Sequence, residues 1–147
     1  TQSRRQRQMC IRDRETPAEV ARLAQLIVTT TPATDPLLRA VDIQPGTHIN
    51  AIGSDTIEKQ ELEADVLALA DVVVGDSLEQ CLTRGEIAHA LAAGAVEPRE
   101  PIELGVLLAG EATGRTEPDQ VTVFDSTGVA VQDIAVATAI VEAAAEQ

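Results

Sequence analysis

PGTHINAIGSDTIEKQELEADVLALADVVVGDSLEQ, residues 45–80, holds the signals that decide the fold. Pro45-Gly46 marks a turn, because proline presets φ and glycine tolerates the backbone angles that tight turns use. Thr47–Ile52 is a short run with β-branched residues and reads as a strand ending at Gly53. Glu58–Ala70 carries Leu62, Val66 and Leu69 at helical spacing, which predicts a helix. Asp71–Gly75 is Val-rich and continuously apolar inside its polar start, which predicts a buried strand.

The same alternation extends outward in both directions. Upstream, Thr16 reads as an N-cap and Pro17 as the first residue of a short helix. Leu26–Thr30 is a second buried strand, Thr31–Pro36 a loop, and Leu37–Val41 a short helical turn. Downstream, Ser77–Thr83 and Glu86–Ala93 read as short helices split at Gly85, and Glu103–Ala109 as a third. Val121–Phe124 is a strand, Asp125–Gly128 a turn, and Val129–Glu146 a long Ala/Val/Ile-rich helix. Continuous apolar strands alternating with helices predict an α/β fold, with a parallel sheet covered on both faces.

Composition narrows the function classes. The chain has 147 residues, enough for one domain and one core. Aromatic residues make up only 1%, with Phe124 the single example, so Val, Ile, Leu and Ala must build that core. A net charge of -13 repels a phosphate backbone and argues against nucleic-acid binding. The charge is uneven: residues 1–14 hold five arginines against one acid, and the remainder holds 6 basic and 23 acidic side chains. This basic leader, which includes Cys10, shows no apolar periodicity; it is read either as a basic arm or as a non-native junction, and is set apart from the fold. No stretch approaches the ~20 apolar residues of a membrane span. Cys10 and Cys81 are too few for a disulfide framework, so a reducing cytoplasm is the expected setting.

In open parallel sheets, ligands bind beyond the C-terminal ends of the strands. Three such ends carry small polar residues: Thr29-Thr30-Thr31, Gly53-Ser54-Asp55 and Asp125-Ser126-Thr127-Gly128. Hydroxyls and free amides there can grip a ribose, amide or phosphate, and the same residues equally serve turns and helix caps. Asp55 and Lys59, the one lysine, lie four apart at an expected helix start. They read either as a surface ion pair or cap, or as an acid/base group with a charge beside it. His48 and His89 have no zinc-binding spacing, so no metal site is expected. GxGxxG, the P-loop pattern and a nucleophile elbow are all missing from the sequence.

Three blocks add to this reading: residues 26–38 (LIVTTTPATDPLL), residues 45–80 quoted above, and residues 121–144 (VTVFDSTGVAVQDIAVATAIVEAA). In order and spacing they resemble the ornithine cyclodeaminase/mu-crystallin family, over roughly residues 15–147, with ELGVLLAG at 103–110 also fitting. The resemblance implies a Rossmann-type nucleotide domain paired with a domain that forms a dimer and binds substrate. It implies hydride transfer between NAD or NADP and the α-carbon of an amino acid or its imine: ornithine to proline with loss of ammonia, or imine reduction. It implies Asp55 as the catalytic acid. Thr29, Thr30, Ile52, Gly53, Lys59 and Ser126 fall at cofactor-contacting positions, and Thr127 at a substrate-contacting one. A mu-crystallin-like protein that binds NADP and a small ligand without turnover is the alternative.

The departures shape the expected organisation. The family's Gly-rich phosphate loop has no counterpart here, nor do the residues that separate NAD from NADP or grip the substrate carboxylate. The expectation is a partial Rossmann-like sheet lacking its N-terminal Gly-rich βαβ unit. It is divided into a leader (1–14), a partial cofactor domain (15–128) and a C-terminal helix (129–147) returning to a dimer domain. As such a fragment the chain is expected to be inactive and to expose an apolar sheet edge, within a homodimeric parent enzyme.

Overall fold

The computed structural model describes residues 12–94 and 101–145. The expected leader lies largely outside the described residues, Cys10 included. The chain runs α1 (Pro17–Leu23), β1 (Leu26–Thr29), a 3₁₀ turn (Ala40–Asp42), β2 (His48–Ala51), α2 (Ala64–Leu69) and β3 (Val72–Gly75). It continues through α3 (Leu78–Cys81), α4 (Glu86–Ala92), β4 (Ile102–Glu103), α5 (Leu104–Leu108), β5 (Thr122–Asp125) and α6 (Ala130–Ala145). The five strands form one all-parallel sheet in the order β1-β2-β5-β3-β4. No helix among the described residues is long and apolar enough to cross a membrane.

Alternation along parallel strands divides their residues between two faces. Ile27, Ile49, Ala51 and Val123 point to one side and are buried with Ala21, Leu62, Val66, Leu67, Cys81, Ile87 and Ala90 from the segments packed there. This is the core. The opposite face is only partly covered, contrary to the expected two-sided cover. Leu104 and Leu107 of α5 close a small cleft over His48, Asn50, Val74 and Phe124, while Leu26 and Val28 on β1 remain 63% and 56% exposed.

Local chemistry explains most boundaries. Thr16 Oγ1 accepts from Glu19 N at 3.3 Å, and Pro17 opens α1. Asp42, buried beneath the 3₁₀ turn, accepts from Arg22 at 2.5 Å and from Arg39 at 3.2 Å. Burial alone would raise its pKa, but the two guanidinium groups hold it below the usual carboxylate range.

Two expected elements differ. The helix predicted over Glu58–Ala70 is confined to Ala64–Leu69. Its first half is held extended instead: the buried Glu86 carboxylate accepts from Glu61 N at 2.8 Å and Leu62 N at 3.1 Å. Leu37 N and Leu38 N bind Glu61 O, and Leu38 forms a parallel bridge with Leu62. The segment expected as a helix over Glu103–Ala109 begins with Ile102–Glu103 pairing to β3, and only Leu104–Leu108 are helical.

Candidate functional site

Parallel pairing brings every strand's C-terminus to one rim of the sheet. Thr29, Ala51, Asp125 and Gly75 stand in one row of the register. The ladder then extends one residue further: Ile52 N donates to Thr29 O at 2.9 Å, Ser126 N to Ala51 O at 2.9 Å, and Asp76 N to Asp125 O at 3.1 Å. Thr29, Thr30, Ile52, Gly53, Ser126 and Thr127 are thereby gathered along a single edge. At its β1 end, Thr29, Thr30 and Thr31 border an open cleft of about 320 Å³. Thr29 Oγ1 is buried there without a hydrogen-bond partner. Since buried hydroxyls are nearly always bonded, an orphan at a strand end marks a place for a ligand atom or water.

Ser126 and Thr127 are held by a residue the sequence reading passed over. Asp76, directly after β3, accepts from Ser126 Oγ at 3.1 Å, Thr127 Oγ1 at 3.1 Å and Gly128 N at 2.8 Å. Burial pushes its pKa up, but donors from the Thr127 and Gly128 main chain and from the two hydroxyls outweigh it and keep Asp76 below the usual range. Its place after a strand, like that of Thr30 or Ser126, was the available signal.

Asp55 and Lys59 lie in a loop rather than at a helix start, because the helix begins only at Ala64. They still meet: Lys59 Nζ donates to Asp55 Oδ1 at 2.7 Å, with the Asp55 side chain 51% exposed. That hydrogen bond lowers the Asp55 pKa. The loop is closed by Ser54 Oγ at 2.5 Å and His89 Nε2 at 2.8 Å, both donating to Lys59 O. Asp55 and Arg84 border a second cleft of about 380 Å³. The connection from there to the Ser126 side is indirect: Arg84 binds Gln80 Oε1, which also accepts from Thr127 Oγ1 at 3.2 Å.

Three more carboxylates support the rim from below. Glu61 is fully buried; its Oε1 accepts from Thr31 N and Thr31 Oγ1, and its Oε2 from Gly53 N. Asp125 does not face the rim; it accepts from Ile87 N at 2.9 Å at the start of α4. Burial pushes the Asp125 and Glu86 pKa values each up to about 7. Glu61 and Glu86 fall within segments predicted as helices, and no spacing distinguishes them from exposed acids. No group of metal-ligating side chains occurs among the described residues.

A sequence profile described as the ornithine cyclodeaminase/mu-crystallin family matches residues 2–147. The chain is 43% identical over 127 residues to the alanine dehydrogenase of Archaeoglobus fulgidus, a match spanning 86% of this chain and 39% of that protein. The crystal structure of the iminosuccinate reductase of Paracoccus denitrificans in complex with NAD+ superposes with a TM-score of 0.81 at 40% identity, over 88% of this chain and 40% of that one. An archaeal alanine dehydrogenase dimer with bound NAD gives a TM-score of 0.80 at 41% identity, over 90% of this chain and 41% of that one. The chain thus spans about two fifths of the length of these relatives.

Proposed function

This chain belongs to the ornithine cyclodeaminase/mu-crystallin family, and from that membership we propose that the complete gene product is an NAD(P)-dependent enzyme acting at the α-carbon of an amino acid or its imine. The reaction is either imine reduction and its reverse, or cyclodeamination of a diamino acid such as ornithine to proline with release of ammonia. The observation that carries the proposal is the rim: Thr29 ends β1 in the last register row, Ile52, Gly53 and Ser126 follow directly beyond it, and the orphaned Thr29 hydroxyl lies among them. The relatives solved with NAD+ or NAD share this fold at about 40% identity.

The residues present fit such a cofactor. Thr29, Thr30 and Ser126 offer hydroxyls, and Ile52 and Gly53 place main chain beside them, with Gly53 N already bound to Glu61 Oε2. When bound, the nicotinamide supplies the two-electron hydride chemistry. Thr127 lies one residue beyond Ser126, on the substrate side, where Asp76 orients both hydroxyls. Asp55, held ionised by Lys59, is ready to receive a proton or to pair with a substrate ammonium or iminium. A cationic substrate competes with Lys59 for that carboxylate. Dimerisation, as in the alanine dehydrogenase relative, is part of the proposal, with α6 contributing to the second domain.

The test is to assay the complete gene product with NAD(H) and NADP(H). L-ornithine and L-alanine serve as amines, and cyclic and acyclic imines as oxidised substrates; reduced cofactor and ammonia are both followed. Turnover is expected with at least one pair. Asp55→Asn should lower kcat by about 10²-fold or more while leaving cofactor affinity within about twofold. Cofactor binding without turnover on any substrate would replace the enzyme by a ligand-binding member of the family.

A further inference from the structure

We propose that Glu61 is a positioning residue: its buried carboxylate sets the spacing and orientation of the two rim loops that follow β1 and β2, and through them the grip on the nicotinamide cofactor. The inference rests on the function proposed above and assigns that site a support that lies outside it.

The geometry is specific. The sheet ladder between β1 and β2 runs out at the bond from Ile52 N to Thr29 O. One residue further on, Glu61 joins the two loops. Oε1 accepts from Thr31 N at 2.6 Å and Thr31 Oγ1 at 2.8 Å, and Oε2 accepts from Gly53 N at 2.9 Å. No helix starts at Thr31 or Gly53, so this carboxylate caps nothing. Its backbone is itself fixed, since Glu61 N donates to Glu86 Oε1 and Glu61 O accepts from Leu37 N and Leu38 N. The loops are drawn close enough that a Cβ on Gly53 would lie 2.4 Å from Glu61 Oε1 and 2.4 Å from Thr31 O.

A carboxylate is the one side chain of this length with two acceptor oxygens and no donor. Glutamine at position 61 keeps the volume but turns an NH₂ toward either Thr31 N–H or Gly53 N–H. One loop then loses its partner, and two donors oppose each other. An apolar residue would free both loops. Because Ile52 and Gly53 follow one strand while Thr29 ends and Thr30 follows the other, a shift between the loops changes the width of the cofactor-binding edge.

The experiment uses the complete gene product and measures NADH and NADPH binding by fluorescence, together with kcat, the KM for the amino-acid or imine substrate, and the thermal midpoint. Glu61→Gln should weaken cofactor binding by at least about tenfold, with the substrate KM moving less than about threefold. Val66→Ala, a core truncation that touches neither loop, should lower the thermal midpoint and leave cofactor binding unchanged. Thr31→Val, which removes one of the three donors, should weaken binding by about two- to fivefold, and Thr31→Ser should restore it. A folded Glu61→Gln protein that binds cofactor like the wild type overturns the role of Glu61. If that variant does not fold, equal binding by Thr31→Val and Thr31→Ser overturns it. A wild-type protein that binds neither NAD(H) nor NADP(H) overturns the functional reading itself, and the positioning role falls with it.

Discussion

At the scale of single residues, the chain buries acids where its rim needs fixed acceptors. Gly85 shows how tightly this is done. Its φ is 89°, and a Cβ there would lie 2.8 Å from both Asp125 carboxylate oxygens, so an L side chain would be strained and would also collide. Asp125 and Glu86, each with a pKa raised to about 7, bind a proton more tightly folded than unfolded. Their contribution to stability is therefore full below about pH 4 and is lost progressively as pH rises toward about 7. Asp42, Asp55 and Asp76 have lowered pKa values and act in the opposite sense, withdrawing stability as the solution becomes strongly acidic. Thermal stability should accordingly peak at mildly acidic pH. The groups bearing on Asp125 are Asp76, Glu86 and Cys81. Asp125→Asn keeps an acceptor for Ile87 N and removes the titration. Its thermal midpoint should fall less than the wild type's between about pH 5 and pH 7 in calorimetry; an unchanged slope would remove Asp125 from the account.

Among elements, α6 stands out because every one of its residues is exposed. Val131, Ile134, Val136, Ile140 and Val141 are all exposed. Ile134→Gln with Ile140→Gln should therefore change the unfolding free energy of this chain by no more than about 0.5 kcal/mol in denaturant titration. A larger loss would mean that α6 packs on the sheet. Elements with a local cause were legible in the sequence. Thr16-Pro17 set the start of α1, Gly85 separated α3 from α4, and the Val-rich run gave β3. Elements with a distant cause were not. Residues 58–63 fall in a segment with helical spacing, but Glu86, 25 positions beyond Glu61, takes the amides of Glu61 and Leu62. The two-residue β4 exists only because β3 offers it an edge. The site divides in the same way: Thr29, Gly53 and Ser126 were visible as strand-end residues, whereas Glu61 and Asp76 act through partners 30 and 50 positions away.

For the molecule as a whole, charge and apolar surface oppose each other. The net charge of -13 disfavours close approach of two copies, while the β1 edge strand and α6 expose aliphatic side chains that invite it. Salt weakens the first effect and leaves the second. Self-association measured by light scattering should rise with ionic strength, and Leu26→Thr with Val28→Thr should reduce it while keeping β-branched residues in the strand. The strand order has a further, kinetic consequence. β5 lies between β2 and β3, yet it is the last strand in the chain. Its register partners His48 and Thr122, whose side chains also meet, lie 74 positions apart. Until residues 122–125 are available, β1-β2 and β3-β4 share no hydrogen-bonded neighbour, so a ribosome must release nearly the whole segment before its sheet can close. Closure of the sheet then waits on one late strand, and long-range parallel pairing of this kind slows folding.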